Sequence, residues 1–555
     1  MKVNWQNIKL VLLFSVISFY GFSQSENEIT RHYLFTDRDY CISGDTIWFK
    51  VAAINSDSAK SNVVHVHLTH AANQVIASVI KKSSAGWAEG YLHVPDSLST
   101  GVYFLSAFVY ENLSVPDLPV EKKSLFVYNR FQDDLTEMEV PGQKQNISKT
   151  NLDSRVKIIP NKQEFKPRER VTVELGLDAI ETSETEFVVV RASRADEMAR
   201  SFGGRFTSVS TPSDLTVPGF AEKDGFILSG KVKKSADGLP PGKAVVFLSL
   251  IDDPGYFDYY VTGQEGTFHF FLKNAEGVGD VVLQAVTEDG AELEIELATN
   301  HMENRTPITL QKEPLGHDQT EFINQSGDAV FIKRLFGENY TISPTDFSMP
   351  PRFNVPFYGH PDQSVNLDDF FELPDFREIS RELLHGVQYR NRDGNITIRM
   401  LNLDENVYFE NEPFRLINGI PFFRNRLLSS FGSAEIDKID YAMEERLFGD
   451  LKFTGVLAIY LKDKSNRWLA QQSNIFRFTV PFLQPSHEPG YFSPPENDKN
   501  VPDLRTVYFW QRVPTGEKKQ IEFLLSDLKG KVEISVTGVT KEGKIFNSSE
   551  IIEIK

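Results

Sequence analysis

The sequence predicts a mainly β protein with tandem immunoglobulin-like sandwiches and an α+β domain inserted near the C-terminus. Residues 46–53, 63–68 and 101–110 are strand-length segments rich in β-branched and aromatic residues, and phenylalanine occurs 43 times in the chain. Turn-forming Gly, Pro, Asn and Asp recur about every ten residues, which is typical of sandwiches and not of βαβ units. A chain of 555 residues also exceeds what one hydrophobic core supports, so several domains are expected.

The first 23 residues have the pattern of a secretory signal. Lys2 and Lys9 precede an apolar run over residues 10–19, and Gly21 and Ser23 are small residues at the −3 and −1 positions of a cleavage point. The alternative is a retained N-terminal anchor, but the run is shorter than the roughly 18 apolar residues that span a bilayer, and no later stretch reaches that length. We therefore expect an exported protein that is soluble or peripherally attached to a membrane.

The composition excludes one class of partner. The formal net charge of −18 argues against nucleic acid, because phosphate binding needs a basic face. No cysteine stands at the cleavage point, as a lipoprotein would require, and Cys41 is the only cysteine, so no internal disulfide can form.

Strand signals, linkers and changes of pattern divide the chain. The stretch from 132 to 153 is polar and rich in Gln, Asn and Lys, which indicates a linker. The predicted order is a signal peptide (1–23), a first sandwich (24–131), the linker (132–153), part of a second sandwich (154–222), a small β-sandwich (223–300), a connecting β segment (301–365), an α+β domain (366–475) and a C-terminal β segment (476–555).

An internal similarity supports repeated sandwiches. Residues 36–49 can be aligned with residues 160–173. In both copies a strand enters a turn, at Ser43–Asp45 and at Pro167–Glu169, and a second strand with alternating apolar residues follows at once. The alternative, which stays open here, is that any two sandwich entrances look alike.

The second sandwich lacks strands. Residues 155–197 contain too few for a sandwich of about seven strands. We therefore expect the segment after Pro485 to pair back onto them, which would make the second sandwich discontinuous, with the intervening domains inserted into it.

The inserted region has two parts. Residues 225–297 carry short strands joined by polar turns and predict a small β unit. The pattern changes between 368 and 462. Residues 376–384 place apolar side chains near one helical face and Gly386 ends that helix, while residues 433–439 predict a second, shorter helix.

Thr36–Phe49, followed by Trp87–Ala107, resembles the macroglobulin-type MG2 domain, an immunoglobulin-like sandwich. The shared features are a Thr-Asp strand, a Pro-Gly-Asp turn, a Trp-Phe-Lys strand and a later Pro-Asp-Ser-Leu hairpin with Gly-x-Tyr. Ser43 stands where proline is usual.

Two more segments resemble known modules. Residues 225–297 are similar to the carboxypeptidase regulatory-like fold. Residues 413–421, 436–440, 448–450 and 455–462 resemble the plug domain of TonB-dependent outer-membrane transporters, with Asn418 where aspartate is usual. This order of modules resembles a set of Bacteroidetes envelope proteins, which implies a periplasmic or cell-surface protein at the outer membrane. The resemblance carries over no catalytic residue.

The chain is too short to supply a barrel for this plug-like domain. About ninety residues follow it, whereas an outer-membrane barrel of about twenty strands needs several hundred. We therefore expect the plug-like domain to dock onto another protein.

His65, His67 and His70 form the candidate metal cluster. His65 and His67 would face the same side of a strand, as a zinc or copper pair requires. No nearby cysteine completes a ligand set, so structural histidines are the favoured interpretation and we predict no metal site. Cys41 would be the thioester cysteine of a macroglobulin-type trap only with glutamine three residues later. Ile-Ser-Gly follows it instead, which favours a small buried side chain.

No serine-hydrolase elbow, zinc-protease helix or phosphate-binding loop is present in the sequence, so we predict no catalytic and no cofactor-binding residue. The carboxylate pairs Glu444-Glu445 and Asp252-Asp253 are interpreted as solvated faces or turns. The aromatic clusters Tyr256–Tyr260 and Tyr508–Trp510 would stack on a sugar or a partner if exposed, and strand burial is the alternative explanation.

The sequence leaves three functional hypotheses open. The first is a non-enzymatic scaffold or accessory subunit of an outer-membrane transport or protein-assembly complex, with an outer-membrane β-barrel or another envelope protein as partner. The second is a macroglobulin-type protease-inhibitor trap, for which the sequence offers neither a bait loop nor a thioester. The third is a surface glycan-binding protein or adhesin that would depend on Tyr259 or Trp510.

Overall fold

The structure is a computed structural model that describes residues 31–54, 63–71, 74–111, 119–132, 137–141, 151–152, 155–185, 187–204, 206–210, 222–223, 225–251, 256–298, 309–314, 317–336, 348–349, 356–472, 474–487 and 501–555. The predicted signal peptide lies outside these residues. The chain divides into two compact units. We call residues 24–226, 300–345 and 483–555 the sandwich unit, and residues 227–299 and 346–482 the inserted unit.

Most of the described elements are strands, as the sequence predicts. In chain order they are β1 (Arg31–Thr36), β2 (Tyr40–Ile42), β3 (Thr46–Ile54), β4 (Val63–Thr69), β5 (Val75–Lys82), β6 (Trp87–His93), β7 (Gly101–Phe108), β8 (Pro119–Tyr128), β9 (Glu137–Pro141), β10 (Asn151–Leu152), β11 (Lys157–Pro160), β12 (Glu164–Phe165), β13 (Arg170–Gly176), β14 (Phe187–Arg194), β15 (Phe206–Ser210), β16 (Gly225–Lys234), β17 (Val245–Leu250), β18 (Phe257–Val261), β19 (Thr267–Lys273), β20 (Val278–Val286), β21 (Leu293–Leu297), β22 (Leu310–Pro314), β23 (Gln363–Asn366), β24 (Val387–Arg392), β25 (Asn395–Asn402), β26 (Val407–Tyr408), β27 (Phe414–Ile417), β28 (Ile420–Pro421), β29 (Ile436–Phe448), β30 (Leu451–Leu461), β31 (Ile475–Pro481), β32 (Val507–Pro514), β33 (Lys518–Leu524), β34 (Gly530–Val539) and β35 (Ile545–Ile554). The α-helices are α1 (Glu197–Phe202), α2 (His317–Phe336) and α3 (Phe376–Glu382).

The first sandwich packs two sheets face to face. One sheet has the order β1-β3-β6, and the other runs β15-β8-β7-β4-β5 with β2 parallel to β8. Phe49, Leu68, Leu105 and Val127 lie between the sheets and are fully buried. Every residue of β4 and β7 is buried, so both faces of these strands are covered, and β-branched and aromatic side chains suit such strands.

The second sandwich is discontinuous in sequence. One sheet has the order β11-β13-β33, and the other has the order β10-β35-β34-β14-β32 with β12 also on β35. The pairing of β14 with β32 and β34 joins Arg191 to Trp510 on one side and to Ser535 on the other. The C-terminal strands therefore supply half of this sandwich, and its core mixes both segments, as Val171, Val190 and Ile534 show.

The two sandwiches share one topology. The sheet β1-β3-β6 corresponds to β11-β13-β33, and the sheet β8-β7-β4-β5 corresponds to β35-β34-β14-β32. The short strands β2 and β12 both run parallel to the last strand of their sandwich. The similarity between residues 36–49 and 160–173 thus marks a repeat of the whole sandwich, and the inserted unit lies in sequence between the equivalents of β4 and β5.

The repeat extends to individual hydrogen bonds. In the first copy the Asp37 carboxylate accepts the Trp48 N–H at 3.3 Å, and the Asp37 N–H donates to the Trp48 carbonyl at 3.1 Å. In the second copy Asn161 and Thr172 make the same two bonds, at 3.1 and 2.9 Å. An Asp or Asn side chain at this position fastens the turn between two strands in each copy.

An ion pair across the following turn is also repeated. Arg38 contacts Asp45 at 2.8 Å in the first copy, and Lys162 contacts Glu169 in the second. In both copies the residue just before the acidic partner of this ion pair has a left-handed backbone. It is Gly44, with φ 80°, in the first copy and Arg168, with φ 59°, in the second.

Helix α2 corrects the prediction that residues 301–365 form only a connecting β segment. It packs on the outer face of the first sandwich, where the Phe322 ring lies 5.2 Å from Tyr40 and 5.9 Å from Tyr128, measured between ring centroids. Within the predicted linker, Glu137–Pro141 is a strand that pairs with β22. Among the described residues no helix is long and apolar enough to cross a membrane.

The inserted unit contains a small sandwich with the sheets β19-β16-β21 and β18-β17-β20-β31. Strand β31 pairs antiparallel with β20, so that Gln284 lies opposite Ile475. Residues 475–481 therefore belong to this sandwich, which corrects the prediction that the α+β domain ends at residue 475 and the C-terminal segment begins at residue 476. This sandwich is discontinuous as well, because the α+β part is inserted between β21 and β31.

The α+β part has a five-stranded sheet, β23-β29-β30-β27-β28, and a three-stranded sheet, β24-β25-β26. Helix α3 forms as predicted, with Asp375 as N-cap accepting the Glu378 N–H at 2.9 Å. The second predicted helix at 433–439 is wrong. Ile436–Phe448 is a strand, and Ile439 pairs with Ile459 of β30.

Aromatic side chains join the two parts of the inserted unit. Phe247 and Phe257 of the small sandwich pack with Phe414 and Phe453 of the α+β part, and the Phe414 and Phe453 rings stack at 4.4 Å. The two parts therefore share one apolar core.

Candidate functional site

A cluster of buried charges lies between the two sandwiches. The Arg191 Nη2 of β14 is 2.7 Å from Asp39, in the turn after β1, and 3.1 Å from Glu533 of β34. The Lys123 Nζ of β8 is 3.1 Å from Asp39 and donates to the Thr36 hydroxyl at 2.7 Å. Sequence reasoning missed this cluster, because Arg191 and Glu533 are 342 residues apart and no local pattern joins them.

The charges of this cluster compensate one another. Burial acts to raise the pKa of Asp39, but the positive charges of Arg191 and Lys123 outweigh it and hold the pKa below its ordinary value. A cavity of about 30 Å³ adjoins these side chains, which is room for one or two water molecules. The arrangement is that of a structural ion network, since each charge is already neutralised by a protein partner.

The three predicted histidines do not converge on a metal site. His65 and His67 are buried on the same side of β4, but the Phe108 ring lies 5.5 Å from the first and 4.8 Å from the second. The His65 Nε2 contacts the Glu222 carboxylate at 2.7 Å, and both side chains are buried. His70 lies beyond the strand, against Tyr103. Throughout the described ranges, no group of His, Cys, Asp and Glu could hold a metal ion.

Cys41 is buried in the core of the first sandwich. Burial raises the pKa of its thiol to about 12, although Arg38 acts in the opposite direction. A thiol with such a pKa stays protonated at neutral pH and is a poor nucleophile.

The aromatic clusters are largely packed inside. Phe257 is buried, and the half-buried Tyr259 accepts the Asp450 N–H on its hydroxyl at 2.8 Å. Tyr508 and Trp510 are buried, and the Lys50 ammonium lies 4.3 Å above the Trp510 ring. A buried ring cannot stack on a sugar, so Trp510 is not positioned to bind a glycan.

The adjacent carboxylates have separate roles. Glu444 pairs with Arg446 at 2.6 Å, and Glu445 pairs with Lys452 at 2.8 Å. These partly exposed ion pairs are typical of a solvated strand surface. Asp252 and Asp253 lie outside the described residues.

An open groove of about 360 Å³ is present in the α+β part of the inserted unit. We call it the Trp468 groove. The side chains of Leu427, Leu461 and Trp468 are mostly buried where they line it. Its remaining lining residues are Ser430, Phe431, Ala434, Glu435, Lys462, Asp463 and Arg467. Its volume lies within the range of roughly 300–1,000 Å³ that is usual for ligand pockets.

Apolar side chains are exposed at several places in the same part, among them Leu447 of β29, which is 74% exposed. In the loop after β23, Phe371 is 95% exposed and its neighbour Phe370 is 49% exposed. In the hairpin of β25 and β26, Leu403, Val407 and Tyr408 are also exposed, and β26 forms the edge of its sheet. Exposed apolar surface of this kind marks interaction sites more often than reaction sites.

No protein-family model and no curated protein matches the chain. Among solved structures it is similar to Salmonella alpha-2-macroglobulin reacted with methylamine, with 9% identity, 95% of this chain and 39% of that chain covered, and a TM-score of 0.22. It is also similar to Escherichia coli alpha-2-macroglobulin activated by porcine elastase, with 10% identity, 95% of this chain and 44% of that chain covered, and a TM-score of 0.22. A tetra-tandem repeat from the extending region of a large adhesion protein has 8% identity and a TM-score of 0.14.

The chain thus spans about two fifths of the length of these macroglobulins. The likeness concerns β architecture and extends no activity to this chain. The regulatory-like and plug-like resemblances stay predictions.

Proposed function

We propose that this protein is a non-enzymatic envelope scaffold whose inserted unit docks onto an outer-membrane β-barrel protein, in a transport or protein-assembly complex. The observation that supports the proposal is the exposed apolar edge formed by Leu403, Val407 and Tyr408. A sheet edge with exposed apolar side chains can accept a strand or an apolar face of another chain. The choice of partner rests on the plug-like resemblance and on the expected export of the chain.

The buried clusters fit this role. The ion network around Asp39 and Arg191 joins the two sandwiches, and the Tyr33 hydroxyl donates to the Gly543 carbonyl across the same interface at 2.8 Å. Polar and aromatic side chains therefore hold two sandwiches as one body, which is what a scaffold requires of its support.

Site-specific photocrosslinking in intact cells tests the proposal. A photoreactive phenylalanine analogue at Leu403 or Val407 is expected to crosslink to an outer-membrane barrel protein. The same analogue at Leu239, which is 61% exposed in a turn of the small sandwich, is the matched control and is expected to give no such product. Equal crosslinking from all three positions, or none to an outer-membrane protein, would overturn the assignment.

A further inference from the structure

We propose that the free edge of β26 adds an extended segment of the partner protein, and that this segment is apolar at its centre and carries lysine or arginine near each end. The inference rests on the proposed docking function and names the chemistry of the partner at the same edge. Two features of residues 403–410 support it, namely backbone groups that face outward and carboxylates that lack an ion pair.

The backbone of Tyr408 points away from its sheet. Leu401 of β25 lies opposite Tyr408, and at the next pair along the ladder the Phe409 N–H donates to the Met400 carbonyl at 2.9 Å. Hydrogen-bonded and non-hydrogen-bonded pairs alternate in an antiparallel ladder, so the N–H and C=O of Tyr408 face the open side of β26. Because β26 is the edge of its sheet, these two groups can pair with a further strand.

The side chains along this edge are apolar. Leu403, Val407 and Tyr408 are all exposed. A strand added at a spacing of about 4.8 Å alternates its side chains between the two faces of the sheet, so it covers Tyr408 on one face and Val407 on the other. Apolar residues at the centre of the added segment would therefore remove this surface from water.

Three carboxylates frame the apolar edge. Asp404 and Glu405 lie in the loop before β26, Glu410 lies just after it, and all three are exposed. Within the described ranges, none of these carboxylates makes an ion pair or accepts a hydrogen bond. Arg399 of β25 follows in register across from Glu410, but no ion pair forms between them, so the edge keeps an excess of negative charge. Lysine or arginine near each end of an added segment would compensate it.

The opposite edge of the same sheet has the reverse character. Its edge strand, β24, exposes Arg390, Asn391 and Arg392. Charged side chains on an edge strand discourage other chains from pairing with it. A basic segment is repelled by the arginines of β24 and attracted by the carboxylates beside β26, so the two edges differ in the partner that they accept.

The edge is fixed before a partner binds. The Glu412 carboxylate accepts the Ile398 N–H of β25 at 2.9 Å and contacts the buried Arg415 guanidinium at 2.7 Å. The chain just after β26 is thereby anchored, so little conformational entropy is lost when a strand is added. An extended segment that reaches from Glu405 to Glu410 needs no more than about six residues at roughly 3.3 Å each.

Fluorescence anisotropy with the purified full chain tests the proposal. The probes are two labelled peptides with blocked ends, Lys-Val-Thr-Val-Thr-Val-Lys and the same sequence with glutamate in place of both lysines. The basic peptide is expected to bind at least about tenfold more tightly than the acidic one at low salt, and added salt should reduce the difference. Equal binding of the two peptides, or no binding of the basic peptide at the highest protein concentration, would overturn the proposal.

Variants separate strand addition from general stickiness. Tyr408→Pro removes the outward N–H without breaking a bond of the β25–β26 ladder and is expected to weaken binding at least about tenfold more than its matched control Tyr408→Val, which keeps the N–H. The double variant Glu405→Lys with Glu410→Lys is expected to prefer the acidic peptide, a reversal that unfolding cannot produce. Arg390→Glu, on β24, should leave the preference unchanged. Equal binding by the two Tyr408 variants, or an unchanged preference in the double variant, would contradict the proposal.

The outcomes also separate this inference from the proposed docking function. Peptide binding without a crosslink to a barrel protein would retain the strand addition and remove the barrel as partner. A barrel crosslink from Val407 without any peptide preference would retain the docking and remove the basic segment. Self-association of the full chain in sedimentation velocity that Tyr408→Pro abolishes would assign the edge to a second copy and overturn the proposal.

Discussion

Replacing Arg191 tests how the two sandwiches are joined. Arg191→Leu removes the cation that lies 2.7 Å from Asp39 and 3.1 Å from Glu533. The side chains of Asp39 and Glu533 are only 18% and 13% exposed, so water cannot fully replace the lost partner. The variant is therefore left with two carboxylates whose buried charge is incompletely compensated.

The expected cost follows from the remaining contacts. Removing one partner of a buried ion pair costs about 3–5 kcal/mol of the free energy of unfolding. Asp39 keeps Lys123 at 3.1 Å and Glu533 keeps Arg200 at 3.5 Å. Because each carboxylate keeps one cationic partner, we expect the loss in the free energy of unfolding to be at the lower end of that range, about 3 kcal/mol.

Urea unfolding followed by tryptophan fluorescence measures this loss. A Trp468→Phe background removes the tryptophan of the inserted unit, so that Trp48, Trp87 and Trp510 report on the sandwich unit. Arg191→Leu is expected to lower the urea midpoint without changing the slope. Arg170→Leu is the matched control, since its pair with Glu522 is 3.5 Å long and about half exposed, and it should cost less than about 1 kcal/mol. Equal costs for the two leucine variants would refute the reasoning.

Three further predictions concern other parts of the chain. Burial lowers the pKa of His32 to about 4, so between about pH 6.5 and 4 only the unfolded state binds a proton at this histidine. The free energy of unfolding therefore falls by about 3 kcal/mol as the pH is lowered through that window. His32→Leu should show a correspondingly weaker pH dependence in urea titrations, and a pH dependence identical to that of the wild type would contradict this. A Cβ on Gly432 would lie 2.7 Å from the Pro374 carbonyl oxygen, so Gly432→Ala should lower the thermal unfolding temperature of the inserted unit. Gly394→Ala is the comparison: its Cβ would have no atom within 4 Å, so it should lower that temperature only through the strain of its positive φ. Cleavage at a protease site engineered between residues 488 and 500 should leave the fragment 501–555 bound in gel filtration until denaturant is added, and its loss in native buffer would argue against the paired strands β32–β35.

The sequence predicted the β-rich architecture because strand-length segments rich in β-branched and aromatic residues recur between turn-forming residues. The turn that contains Ser43 and the turn that contains Arg168 differ in sequence. They nevertheless occupy equivalent positions, beside the paired strands β1 and β3 in the first sandwich and β11 and β13 in the second. The prediction of a second helix at 433–439 failed because Ile436 and Ile439 are spaced as on a helix, and only the pairing with β30 shows that they lie on a strand. Helix α2 was missed because its apolar residues form no regular stripe in the sequence.

The candidate sites were harder to predict. Local spacing brought His65 and His67 together, but the partner of His65 is Glu222, which is 157 residues away. The Asp39–Arg191 cluster likewise combines residues from distant segments, whereas the Trp468 groove is formed within residues 427–468 by the folding of the α+β part. Such sites depend on the packing of strands that only the three-dimensional fold brings together.

The nested order of the strands has a consequence for how the chain matures. Strand β14 reaches its place between β32 and β34 only after the whole inserted unit has been synthesised, because Arg191 must meet Trp510 and Ser535. Until then β11, β13 and β14 expose apolar faces, so the incomplete chain is prone to aggregate until its C-terminal strands have been made. A polypeptide that stops before residue 501 can never shield those faces, and proteolysis would therefore remove incomplete molecules selectively.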